Sequence, residues 1–155
     1  MIHLIIDVNV IPLVISEYKD KKAKCLIMNY IMKRKAKWVY GGKTYKNELR
    51  VFKREEYLNF FAQLSRASLY ADLSKDKEID SMEKEIYKLK KKAGNFNDGH
   101  LIAVAIIGSV RIIYTHDEKS HKYLTNKSLY PKKCEIPKVY NSNVKNKYLN
   151  QWMSQ

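Results

Sequence analysis

Along the chain, short aliphatic runs alternate with stretches in which apolar residues recur every three or four positions. Residues 3–6 carry Leu4, Ile5 and Ile6 in succession and stop at Asp7, the pattern of a short buried strand. Helical spacing follows over residues 10–17 and again over 21–34, where Cys25, Ile27, Met28 and Ile31 stand among lysines. Residues 38–40 read as a strand closed by Gly41-Gly42, after which Thr44 is placed to cap a short helix reaching Arg50. A second helix over 55–67 lines up Tyr57, Phe60, Phe61 and Leu64, and a weak strand signal covers 69–73. Residues 75–92 form a charged amphipathic segment with Met82, Ile86 and Leu89 as its inner stripe.

The next helix, 99–107, is apolar on nearly every side and so belongs at the centre of the fold; Asn97-Asp98 precedes it and Gly108 ends it. Residues 110–114 are a further buried strand, closing in Thr115-His116-Asp117, and a helix follows through Leu124. Pro137 places a last strand, 135–140, at a sheet edge. The polar residues 141–155 read as a loosely ordered tail behind one domain over 1–140. Aliphatic strands without polar alternation, separated by helices, specify an α/β protein: a three-layer α/β/α sandwich on a mostly parallel sheet of about five strands. Ligands bind such sheets at the carboxyl ends of their strands.

Composition refines this picture. The 155 residues are 45% hydrophobic, enough for one domain with a core. No apolar run approaches the roughly 18 residues of a membrane span, and the amino terminus lacks the features of a signal peptide. Cys25 and Cys134 stand far apart, without a metal-binding pattern, as in a reduced cytoplasmic protein. The net charge is +14, and it is uneven. Residues 19–54 hold thirteen Lys and Arg against two acids, and residues 119–155 hold eight Lys against one. Two basic regions on one domain suit a nucleic-acid backbone.

Against that background four acids stand out. Asp7 and Asp117 follow strands whose ends a parallel sheet brings together, Asp98 opens the buried helix, and Glu48 lies just past the double glycine. Each has a simpler role open to it, as a helix cap or a solvated helix residue, but a carboxylate at the end of a buried strand needs a partner, a cleft or a metal. Clustered carboxylates repel unless protonated or neutralised by a cation. Mg²⁺ or Mn²⁺ would satisfy oxygen donors, polarise a phosphodiester and lower the pKa of a water. Acids in a cleft between basic surfaces are the layout of a metal-dependent nuclease. Lys43, Lys46, Lys119 and Lys122 are the nearest candidates for phosphate contacts. No glycine-rich phosphate loop is present, and Asn9 in place of a second acid excludes a DxD phosphatase start. His100 and His121 read as polar surface residues, and most of the twelve tyrosines as core or rim.

The chain resembles PIN-domain ribonucleases over roughly residues 2–140, through IIDVN, GGKTYKNEL, NDGHLIAVAII and RIIYTHD, with about nineteen residues between the last two acids. The resemblance implies Mg²⁺- or Mn²⁺-dependent hydrolysis of RNA, with Asp7, Glu48, Asp98 and Asp117 as metal-holding catalytic residues and Asn9 and Thr115 supporting them. RNA is the expected partner, with DNA, self-association and an antitoxin or other protein left open. The alternatives are a catalytically silent nucleic-acid-binding module and a toxin of a toxin–antitoxin pair. His116 stands where asparagine is frequent in that family, and the charged segment 75–92 and the basic tail exceed a minimal toxin.

Overall fold

The computed structural model describes residues 1–20, 25–90, 96–141 and 143–155. Five parallel strands lie in the order β3-β2-β1-β4-β5: β1 Ile2–Ile6, β2 Ala36–Tyr40, β3 Tyr70–Asp72, β4 Ile112–Tyr114 and β5 Lys138–Tyr140. Leu4 sits opposite Trp38 on one side and Ile112 on the other, and Ile6 opposite Tyr114. Leu4, Ile5, Ile6 and Ile113 are fully buried, as strands covered on both faces require.

Among the described residues eight α-helices connect and cover the strands: α1 Ile11–Lys19, α2 Leu26–Met32, α3 Lys43–Leu49, α4 Glu55–Arg66, α5 Asp76–Leu89, α6 Gly99–Ile107, α7 Glu118–Leu124 and α8 Asn146–Ser154. The architecture is the expected three-layer α/β/α sandwich. With this strand order, the right-handed rule for crossovers between parallel strands sets helices of the β1-to-β3 half and of the β3-to-β5 half on opposite faces. The chain leaves β1 toward β2 but leaves β4 toward β5, so the connections diverge between β1 and β4. Such a divergence is where open parallel sheets form a ligand crevice, at the strands' carboxyl ends. Among the described residues, no helix is long and apolar enough to cross a membrane.

Three local expectations are corrected. Thr44 does not cap α3; Gly42 does, at φ 81°, where an added Cβ would lie 2.6 Å from Ile79 Cγ2. The free N–H groups there are satisfied from α5 instead, Gly42 by Asp76 at 3.0 Å and Lys43 by Asp80 at 2.8 Å, while the Thr44 hydroxyl donates to Glu83. The inner stripe of α5 is Ile79, Met82 and Ile86, and Leu89 is exposed. The tail is not loose: α8 buries Leu149 and Met153, and Tyr30 on α2 donates to Asn150. The expected helices over 21–34 and 75–92 extend partly outside the described residues.

Candidate functional site

Asp7 follows β1 and Thr115 follows β4, and the pairing of these strands makes the two residues neighbours. The Asp7 N–H donates to the Tyr114 carbonyl at 2.8 Å, which locks the end of the ladder. The Thr115 hydroxyl then donates to Asp7 Oδ2 at 2.7 Å and accepts the Asp117 N–H at 3.1 Å. One threonine thus ties both strand-end acids together. Asp117 caps α7 by accepting the Lys119 N–H at 3.0 Å. Asp98, just before α6, makes no side-chain cap; its carboxylate turns to the Ser120 hydroxyl. That same hydroxyl lies 2.9 Å from Asp117 Oδ2. A hydroxyl has one proton, so Ser120 cannot donate to both carboxylates at once.

The fourth acid, Glu48, arrives on α3. Its Oε2 lies 3.2 Å from His100 Nε2, on the second residue of α6. Tyr45, one turn earlier on α3, is fully buried, donates to the Ile6 carbonyl at 2.7 Å and accepts from Trp38 Nε1 at 3.2 Å. These bonds anchor α3 to the end of β1 and so set where Glu48 points.

Among the described residues the buried polar side chains are Asp7, His100, Thr115 and Ser120, and all four belong to this crevice. His100 is 1% exposed, not the surface histidine the sequence suggests. Neither of its ring nitrogens makes an aligned hydrogen bond, the Glu48 contact included. Burial raises the Asp7 carboxyl above its ordinary value, against the opposing pull of the Thr115 hydroxyl. Burial likewise raises Asp98, opposed by the Ser120 bond, with Asp117 and Glu48 adding to the rise. Burial alone would lower His100, but Glu48, Asp98 and Glu83 hold it above its usual value. The crevice therefore favours bound protons or a cation.

The supporting residues divide. Thr115 makes the hydrogen bond assigned to it. Asn9 has an exposed side chain, and it is its main-chain N–H that favours the Asp7 anion, without the alignment of a helix cap. Lys46 is engaged elsewhere, 2.7 Å from both Asp72 and Asp76. Lys43 lies on α3, the helix that carries Glu48, and Lys119 and Lys122 on α7, the helix that Asp117 caps, with Lys122 also over the Tyr123 ring at 5.1 Å. Ser120 was not singled out in the sequence, where its only signal is its place three residues after Asp117.

Among the described residues no three acids or histidines converge tightly enough to grip an ion unaided. The hydroxyls of Thr115 and Ser120 stand between the carboxylates instead. In chemical type these donors are carboxylate oxygens, the kind that Mg²⁺ or Mn²⁺ takes while keeping several waters. The unaligned nitrogens of buried His100 mark an unsatisfied polar environment at the same place. Compared with family models, curated proteins and solved structures, the chain matches none.

Proposed function

We propose that this chain is a metal-dependent endoribonuclease of the PIN type. One observation carries the reading: the buried polar side chains of the described residues gather at the β1–β4 divergence, among Glu48, Asp98 and Asp117. A fold that stacks carboxylates there accepts an electrostatic penalty that packing alone does not require. A divalent cation bound by Asp7, Glu48, Asp98 and Asp117 would neutralise that charge and supply Lewis-acid activation of a phosphodiester.

The chain's own residues have separable roles in this reading. Thr115 orients Asp7 and, through the Asp117 N–H, the turn into α7. Ser120 sets the spacing of Asp98 and Asp117. Tyr45 fixes the helix that carries Glu48. Lys43, Lys119 and Lys122 hold phosphates on either side of the crevice, and the +14 net charge draws in a polyanion. RNA, rather than DNA, follows from the resemblance.

The test is cleavage of mixed RNA substrates in Mn²⁺ by the wild type and by Asp7→Asn and Asp117→Asn. The expected result is cleavage by the wild type and a loss of about a hundredfold or more in each variant, with folding intact by circular dichroism. Wild-type rates in either variant would refute the assignment. RNA binding by the wild type with no cleavage in any divalent metal would leave a nucleic-acid-binding module in its place.

A further inference from the structure

The sheet ends at β5, and its outer side opens into a groove of about 670 Å³ that shares no residue with the acid site. β5 pairs with β4 through alternate residues. The Lys138 N–H donates to the Arg111 carbonyl at 2.8 Å, and the Tyr140 carbonyl accepts the Thr115 N–H at 3.1 Å. In a parallel ladder the residue between them turns both main-chain groups the other way. The Val139 N–H and C=O therefore face the groove, and among the described residues neither has a hydrogen-bond partner. Pro137, at the equivalent outward position, removes no bond from the sheet.

The groove has a wall on each face of the sheet. One is α7, through His121 and the Thr125 that ends it; the other is α8, through Tyr148 and Trp152. The α7 wall lies in the β4-to-β5 crossover, whereas the bond from Tyr30 ties α8 to α2 in the β1-to-β2 crossover on the other face. A strand edge recessed between two walls, with unused main-chain groups at its base, is shaped for an added strand. Its floor is apolar, from Ile136, Val139 and Val144, and Lys138 and Lys145 stand on its rim with no acid among the lining residues.

We infer that this groove binds an extended, acidic segment of a partner protein, which adds beside β5 as a sixth strand. Its backbone would bond the Val139 N–H and C=O, its apolar side chains would meet Trp152 and Tyr148, and its carboxylates would meet Lys138 and Lys145. A second copy of this chain is a poor occupant, because it would set Lys138 and another +14 molecule against the same rim. A nucleic acid would leave the apolar floor uncovered. The inference does not depend on the chain being a nuclease.

Trp152 lines the groove and is half-buried, whereas Trp38, the other tryptophan, is fully buried. Tryptophan emission of the full chain is therefore a direct readout. The probes are an eight-residue peptide alternating Glu with Val or Ile, the same peptide with Lys for Glu, and a single-stranded RNA octamer. The expected result is a saturable blue shift with the acidic peptide alone, slower exchange of the Val139 amide in its presence, and loss of the shift in Trp152→Phe. Lys138→Glu with Lys145→Glu should weaken binding at least about tenfold. No saturation by about millimolar peptide, equal binding of the Lys peptide, an unchanged Val139 amide, or displacement by the RNA octamer would each overturn the inference. So would sedimentation showing the groove closed by a second copy.

Discussion

At the residue scale, the crevice is a set of compromises between charge and burial. Asp7 and Asp98 are raised by burial, so between the ordinary carboxylate value and the raised one the folded state holds more protons than the unfolded state. Stability from these two groups therefore grows as pH falls from neutral. His100 has the same sign: the stability it contributes is complete below its ordinary value and is lost as pH rises through its raised one. Asp98→Asn should raise the unfolding midpoint of the metal-free protein at pH 7, and its advantage over the wild type should shrink toward about pH 5, measured by thermal melts across that range. Mn²⁺ should raise the wild-type midpoint and leave Asp7→Asn nearly unmoved, a readout of metal binding independent of cleavage. Ser120→Ala should lower the midpoint at neutral pH by about 1–2 kcal/mol in unfolding free energy, because Asp98 loses a donor where it is half-buried. Asp7 was legible in the sequence because charge at the end of an aliphatic run is conspicuous, and the other acids because each adjoins a strand end, the buried helix or the double glycine. Ser120 and His100 were not, because a serine or a histidine looks the same in sequence whether it is buried or bathed in solvent.

At the element scale, the aliphatic strands and the apolar helix α6 declared themselves by pattern, and the parallel pairing of the sheet followed from alternation with helices. What escaped was set by contacts between distant elements. The start of α3 is capped by Asp76 and Asp80 of α5, more than thirty positions away, so the local Thr44 signal pointed to the wrong residue. The polar composition after residue 140 hid α8, whose apolar positions are few but well placed: Leu149 is fully buried. Leu149→Ala should destabilise the fold by about 2–5 kcal/mol in denaturant unfolding, as expected for a core leucine and not for a residue of a loose tail.

At the scale of the whole molecule, charge and topology work together. The positive field that would gather a polyanion is long-ranged and salt-sensitive, whereas the acid crevice is local and screened by its walls. Charge reversal of Lys119 and Lys122 should weaken RNA binding by about tenfold, and its salt dependence should flatten, while the Mn²⁺-induced rise in melting temperature persists. Net charge was legible at once, but its division between binding lysines and structural ones was not: Lys46 is tied to Asp72 and Asp76 by contacts that only the fold reveals. The bond from Thr115 to Asp7 spans 108 positions. A growing polypeptide emerges at roughly 5–20 residues per second, so Asp7 and Glu48 leave the ribosome several seconds before Thr115, Asp117 and Ser120 can join them. Until β4 slots in beside β1 the site has only one bank, so the emerging chain holds Asp7 and Glu48 without the Thr115, Asp117 and Ser120 that complete the cluster.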